Sequence, residues 1–585
     1  MDPGVIFQSV ELCAECIIFI INTCKTYNAA DEEVSERIAI VEDCWNRTRL
    51  QYEFVQSLTP ILDAEHRRIL DDVLGILASK LSSAVTSLKA VLEKREKDGG
   101  VELRSGFFGF SRGVRKGKYA FVKDALDGVI RDLEEWQRRF DPSWYLIIRV
   151  ASPAIDRQLR EFKEQSQQLQ LQPDQNPART PPRLRPAPEQ PSSGRRRLQH
   201  QQRHLEFTLA AGHQAITSPF LLADDIRTAL DPDSHQDSVF FREIFDFMPI
   251  PYCRAKVAHR RGSSDRWFIL DPIICRPEMD IEVMKSDIRI LAHKLSRADP
   301  LAFGLLNCKG VNGNVDARDP SRILSFDLIL RIPSGMEVPQ SLRQMLLLYP
   351  KADGSAFSIN RRLRIAQELA RSVGYVHTFN LVHKSISPES ILILENLESS
   401  RSATFLVGFD QFRSADGDTN LLGDSNWDRN LYRHPARQGD APEDAYCMQH
   451  DIYSLGVCLL EIGLWESFVG YPADSPAPDG PLRDFSARTM QPQHSPAPQQ
   501  SFRAGSGNVL RPLSVQAKEH LEGIARTRLP QTMGEKYSKV VLACLTCLDA
   551  NDEDTAAQSS ADPDGILIGL HFNERILGQL NEIAV

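Results

Sequence analysis

Apolar residues recur at alternating steps of three and four in three stretches of the first 163 residues. This spacing places each set on one face of a helix. Gly99 and Gly100 end the second stretch, and a further helix is expected after Pro142. The sequence therefore predicts an antiparallel helical bundle over 1–163. The three sets are Val34, Ile38, Val41, Trp45, Tyr52 and Val55; Leu70, Leu74, Leu77, Leu81, Val85, Leu88 and Leu92; and Tyr119, Val122, Leu126, Val129, Leu133, Trp136 and Phe140.

The first helix of this bundle differs because its centre is apolar on all sides. Glu11 and Glu15, four residues apart, share one face of it. One interpretation is a helix buried in the bundle with its acids at the edge, which the residue chemistry alone favours. The other is a segment that inserts into lipid on activation, in an oligomer that shelters the acids. The apolar run is Ile17, Ile18, Phe19, Ile20 and Ile21.

The loop 103–121 contains no acid and combines basic residues with the phenylalanines Phe107, Phe108 and Phe110. Basic and aromatic side chains at a loop tip suit an anionic membrane surface. A solvated loop that tucks its phenylalanines inward is the alternative. The basic residues that would contact lipid are Arg112, Arg115, Lys116 and Lys118.

Residues 1–163 resemble the fungal HeLo-type (prion-inhibition and propagation) domain. The resemblance rests on the opening MDPGVIFQSVELCAECIIFIINTC, on DCWNRTRLQYEF and on GVIRDLEEWQRRFDPSWYLI. It implies a helical bundle whose first helix can be released to disrupt membranes, driving programmed cell death or heterokaryon incompatibility. It also implies attachment to a sensing or signalling module.

Two polar stretches divide the rest of the chain. Residues 164–204 are rich in Gln, Pro and Arg and predict a disordered linker. Residues 472–512 predict a mobile insertion within the following region, 205–585. That region mixes strand and helix patterns, with a small lobe expected over 236–335 and a large lobe over 340–585.

The region 205–585 resembles a protein kinase in three motifs. LVHKSISPESILIL resembles a catalytic loop, LYRHP the end of the activation region, and YCMQHDIYSLGVCLLEIGLW the central helix of the large lobe. The resemblance implies that Asp451 bonds to the backbone of the catalytic loop. The predicted fold class is therefore multidomain: an all-α bundle followed by an α+β, bilobal kinase-like domain.

The catalytic residues of this resemblance are absent. The H-R-D-L-x-x-x-N loop needs an aspartate and an asparagine, and D-F-G needs a second carboxylate. Asp271 stands near the place of the V-A-I-K lysine, for which Lys256 is a candidate substitute, and no G-x-G-x-x-G precedes it. The sequence predicts a pseudokinase that turns over no ATP, although residual ATP binding stays open. The degenerate positions are His383, Lys384, Ser385, Ser390, Gly408, Phe409 and Asp410.

Charge, cysteine spacing and the amino-terminal residues limit the partners, metal sites and compartments expected for the chain. The net charge of −9 argues against nucleic acid as a partner. The 11 cysteines are scattered without paired zinc spacing, so a reducing compartment and no metal site are expected. No secretory signal is recognised, which predicts a cytoplasmic chain. The HeLo resemblance implies that it reaches the plasma membrane on activation.

The leading hypothesis is a latent membrane-targeting effector of cell death or incompatibility, controlled by a pseudokinase. It implies protein partners such as an upstream immune-type receptor, membrane lipid, and a homo-oligomer in the active state. The alternatives are a divergent active kinase that uses Asp410 or Glu389 for metal, and a scaffold without membrane activity.

Overall fold

The structure is a computed structural model that divides into two compact units, Met1–Arg227 and Thr228–Val585. It describes scattered residues between 13 and 159 and sixteen further segments. These are 219–231, 240–241, 243–262, 266–275, 280–316, 318–319, 322–349, 357–396, 401–414, 424, 426–439, 442, 445–472, 475–483, 513–549 and 566–583.

In the first unit, the described residues between 13 and 159 are helical. Polar bonds join distant stretches there: Arg37 pairs with Asp127 at 2.6 Å, and Gln137 donates to the Cys44 carbonyl at 3.1 Å. The bundle stays a prediction. In the first helix Ile17, Ile20 and Ile21 are buried, Phe19 is half-buried, and Ile18 is 56% exposed. Arg112, Arg115, Lys116, Lys118 and the linker 164–204 lie outside the described residues.

The second unit contains a six-stranded sheet in the order β1-β5-β6-β4-β3-β2, antiparallel except for the β1–β5 pair. β4 is the near-continuous apolar run WFILDPII, which forms a buried strand with Asp271 as its one charge. The small lobe, 240–331, comprises β1 (Phe240–Phe241), β2 (Phe245–Pro249), β3 (Lys256–Arg260), β4 (Trp267–Ile274), α2 (Ile281–Ser296), α3 (Pro300–Phe303), β5 (Cys308–Val315) and β6 (Ile323–Arg331); α1 (Pro219–Leu230) precedes it.

The large lobe, 337–581, is mainly helical, with a three-stranded sheet in the order β10-β9-β7. Every residue of α7 is buried, so its polar side chains lie inside the lobe. The elements are β7 (Glu337–Ser341), α4 (Leu342–Leu348), α5 (Ile359–Thr378), β8 (Leu381–Val382), β9 (Ile391–Asn396), β10 (Arg401–Leu406), β11 (Arg413–Ser414), α6 (Trp427–Asn430), α7 (Met448–Leu464), β12 (Val469–Gly470), β13 (Ala477–Pro478), α8 (Leu513–Thr527), α9 (Leu529–Met533), α10 (Glu535–Leu545), α11 (Ile566–Phe572), a π-helix (Asn573–Gly578) and α12 (Gln579–Asn581).

The mixed α/β sheet region is consistent with a kinase-like lobe. The predicted insertion, 472–512, begins with β13, which pairs with β12, while 484–512 lie outside the described residues. Within the described part of the chain, no helix has both the length and the apolarity that crossing a membrane requires.

Candidate functional site

A cavity of about 330 Å³ lies between the two lobes of the second unit. Four segments form most of its walls: the β2–β3 loop (250–255), the loop after β8 (383–390), the residues after β10 (407–411), and α6 with the residues that follow it (428–433). This volume is at the lower end of the range of small-molecule pockets. Of the residues predicted from the motifs, Lys384, Ser385, Ser390, Gly408 and Asp410 line it.

Asp451, on α7, holds the loop after β8 by hydrogen bonds to its backbone. Its two carboxylate oxygens accept the backbone N–H groups of His383 at 2.7 Å and Lys384 at 2.9 Å. Burial alone would raise the pKa of Asp451, but the bond and charge of His377 and the other donors hold it below its usual value. Asp451 is therefore an ionised anchor of the loop.

His383 packs inside and does not face the cavity. Its Nε2 lies 3.0 Å from the Val407 carbonyl oxygen, and its ring centroid lies 4.6 Å from that of Phe409. Burial lowers the pKa of His383, so the ring is neutral at physiological pH. The histidine thus links the two loops structurally.

The places expected to hold the two catalytic aspartates and the asparagine carry hydroxyls and a glycine. Ser390 donates to the Ser387 carbonyl at 2.9 Å and accepts the Ser387 N–H at 3.1 Å, which closes a local turn. Gly408 has φ +85°, and a Cβ there would lie 2.9 Å from the Ser390 Cβ. The chain therefore has no room for a side chain where a D-F-G aspartate would begin.

Replacing Gly408 by alanine is expected to lower the free energy of unfolding by about 2–4 kcal/mol, since backbone strain and overpacking add. Gly262→Ala is the matched control, because Gly262 also has φ +85° but nothing lies within 4 Å of its added Cβ. Urea unfolding of both full-length variants measures the difference. Equal losses would show that the contact with Ser390 is irrelevant.

Asp271 enters the site through the buried strand β4. Its Oδ2 accepts the backbone N–H groups of Gly408 at 2.8 Å and Phe409 at 3.1 Å. The residue is 1% exposed, and Oδ1 has no hydrogen-bond partner within the described part of the protein. Burial, with smaller contributions from Asp410 and Asp327, raises the pKa of Asp271 to about 7 against the lowering effect of the two N–H donors.

The β2–β3 loop contacts the large lobe, a role that the motifs did not predict. The Pro251 carbonyl accepts the Ser341 hydroxyl at 2.6 Å, and the rings of Tyr252 and Tyr471 lie 4.9 Å apart. Arg254 forms an ion pair with Asp410. Tyr252 also has φ +55°, a conformation that favours glycine. The spacing of the sequence could have revealed this loop. When G-x-G-x-x-G-x-V is counted back from Val257, its three glycine positions fall on Ile250, Tyr252 and Ala255.

The two carboxylates that a divergent kinase would use are both engaged by arginines. Asp410 pairs with Arg254, and Glu389 Oε1 accepts Arg343 Nε at 2.8 Å and the Tyr471 hydroxyl at 2.9 Å. Burial opposes ionisation of Glu389, but Arg343 outweighs it and lowers the pKa of Glu389.

Lys256 lies on β3 with its Nζ 4.2 Å from the Phe247 ring centroid, and it is not among the residues that line the cavity. Across the described residues, no group of three or more His, Cys, Asp or Glu side chains is arranged to hold a metal.

The chain matches no protein-family model and no curated protein. Among solved structures, it is similar to a chain of the CAK complex of Chaetomium thermophilum bound to ATP-gamma-S. The identity is 14%, the TM-score is 0.30, and the match covers 55% of this chain and 88% of that chain. Values this low assign neither a family nor an activity, so the kinase-like interpretation rests on the motifs and the sheet region of the second unit.

Proposed function

We propose that the second unit is a kinase-like switch that does not transfer phosphate. The observation that carries this proposal is the contact of the β2–β3 loop with the large lobe through protein side chains, with Arg254 paired to Asp410. In a phosphoryl-transfer site, that region must leave a carboxylate for Mg²⁺ and backbone N–H groups for phosphate. Here an arginine neutralises Asp410, and Ile250, Tyr252 and Ala255 stand where glycines would let backbone N–H groups approach phosphate.

The second candidate function is a divergent kinase. It is favoured only by the presence of Asp410 and Glu389 in the walls of the cavity. To bind metal, each would have to exchange an arginine for the ion. Loss of the Arg343 bond would also leave that fully buried guanidinium short of one partner.

The full-length protein is therefore expected to show no ATP turnover or autophosphorylation with Mg²⁺ or Mn²⁺, because base and metal carboxylates are both missing. A thermal-shift titration separates binding from turnover, since ligand at 100 times its Kd stabilises by about 2.7 kcal/mol. Asp410→Asn is the control, because it removes a carboxylate that a divergent kinase would use in this cavity. Phosphate transfer well above this control's background would overturn the proposal in favour of the divergent kinase.

We further propose that this switch controls a HeLo-like amino-terminal region that acts on membranes and drives cell death or incompatibility. The support is the apolar first helix, its basic loop 103–121, and the sequence resemblance of residues 1–163. In this account the chain is cytoplasmic until a protein partner, such as an immune-type receptor, releases the switch. The released chain then forms a homo-oligomer on anionic membrane. A scaffold without membrane activity is the competing outcome.

A further inference from the structure

Three cationic side chains converge on Tyr446 beside the cavity. The Lys384 Nζ lies 5.6 Å from the Tyr446 ring centroid, and the Arg437 guanidinium carbon lies 5.6 Å from the same centroid. Arg413 donates to the Tyr446 carbonyl oxygen. Arg433 adds a further guanidinium, since it lines the cavity together with Lys384. Lys384 is therefore a lysine in a positively charged, half-buried environment.

Among the described residues, no carboxylate forms an ion pair with the Lys384 ammonium. Asp451 binds only the backbone N–H of Lys384 at 2.9 Å and directs its other bonds to His383, His377 and Tyr446. An ammonium in such a place favours its neutral form, which is the nucleophilic form of a lysine.

The effect on titration follows from these surroundings. Burial first, then the charges of Arg413, Arg437 and Arg433, lower the pKa of Lys384 to about 8, against the opposing charge of Asp451. At pH 7.5 about a quarter of such side chains carry a free amine, against roughly one in a thousand for an ordinary lysine. The backbone at Lys384 also lies in the left-handed region, with φ +66°.

We propose that Lys384 is a covalent modification site, at which the amine forms an imine with a small aldehyde that carries a phosphate or carboxylate group. The Nζ lone pair attacks the carbonyl carbon to give a carbinolamine, which loses one water molecule to give the C=N bond. Hydrolysis reverses the step, so no oxidant or reductant is needed. The anionic group of the aldehyde would meet Arg433 and Arg429, which line the same cavity and share one carboxylate, Asp424, at 3.7 Å and 3.0 Å. This inference goes beyond the proposed function and does not depend on it.

The test uses the full-length chain and pyridoxal 5′-phosphate as an anionic aldehyde probe, with borohydride to reduce the imine and peptide mass spectrometry to locate it. At pH 7.5 we expect Lys384 to be labelled at least ten times faster than the exposed Lys539. The ratio should narrow toward pH 10, where ordinary lysines also lose their protons. Pyridoxal without the phosphate should label Lys384 more slowly than the phosphorylated probe.

Two variants sharpen the result. Lys384→Arg keeps the positive charge and should abolish labelling in its peptide, while Arg433→Gln should reduce the rate for the phosphorylated probe more than for pyridoxal. Labelling of Lys384 no faster than Lys539 in the wild-type chain would overturn the proposal. So would a ratio that stays constant from pH 7.5 to 10. The wild-type comparison needs no variant to fold.

Discussion

Replacement of Arg343 by methionine is expected to lower the free energy of unfolding by about 3–5 kcal/mol. Arg343 lies on α4 and is 0% exposed. Its guanidinium donates to Glu389 at 2.8 Å and to Glu461 at 2.9 Å, and Glu461 is also 0% exposed. Removing the cation leaves the buried Glu461 and the half-buried Glu389 without their counterion. Burial of an unpaired charge is among the most destabilising changes in a protein.

Urea unfolding of the full-length chain measures this loss. Arg526→Met is the matched control, because Arg526 pairs with Glu522 at 3.0 Å across one helical turn but its side chain is 55% exposed. An exposed pair of this kind contributes less than about 0.5 kcal/mol. A loss below about 1 kcal/mol for the Arg343 variant would mean that the site is hydrated or rearranges, and the buried network would have to be abandoned.

Replacement of Asp271 by asparagine is expected to make the stability of the protein less dependent on pH. The pKa of Asp271 is raised to about 7 in the folded chain, mainly by burial, against a usual value near 3.9 when unfolded. The contribution of this group to stability is therefore complete below about pH 4 and is lost as the pH rises through 7. Asparagine keeps an oxygen that accepts the N–H groups of Gly408 and Phe409 but carries no charge.

The advantage of Asp271→Asn over the wild type should thus grow by about 2–3 kcal/mol between pH 5 and pH 8. Asp246→Asn is the control, since Asp246 is an exposed carboxylate whose bond with Arg261 lowers its pKa. It should gain nothing as the pH rises. Parallel stability curves for wild type and Asp271→Asn across this range would show that the carboxyl is already neutralised by an unrecognised partner.

Motif spacing predicted which residues would stand where a kinase keeps its catalytic groups. Ser385, Ser390 and Gly408 follow from short, ungapped motifs, and the structure brings all three to one cavity. Positions within a loop of eight residues can be read from sequence because the loop's own turn holds them together. The role of Asp451 could be predicted in the same way, from its position in the motif YCMQHDIYSLGVCLLEIGLW.

The roles of Asp271 and the β2–β3 loop could not be predicted in this way. Asp271 stands 137 residues before Gly408, and its bond exists only because two lobes meet. The sequence lacks the V-A-I-K lysine there but does not show what the carboxylate binds. Likewise, the absence of glycines suggested a lost phosphate loop, but the pairing of Arg254 with Asp410 depends on tertiary contact. Lys256 is the opposite case. Its sequence position suggested a nucleotide contact, but its side chain lies against Phe247 and does not line the cavity.

The central claim is that closure of the β2–β3 loop keeps a membrane-active chain latent. Dye release from anionic liposomes tests it with three full-length proteins. They are the wild type, a variant with Tyr252→Ala and Arg254→Gln, which we call the latch variant, and the latch variant with Ile18→Glu added. Ile18 is 56% exposed, so a charge there should be tolerated in the folded state. Hydrogen exchange in the β2–β3 loop shows whether the loop has separated from the large lobe in the latch variant.

The account predicts little release by the wild type, strong release by the latch variant, and its loss when Ile18→Glu is added. A latch variant that opens by hydrogen exchange yet releases no more dye than the wild type would contradict the account. The second unit would then be a binding module in a scaffold rather than a switch over a membrane executor.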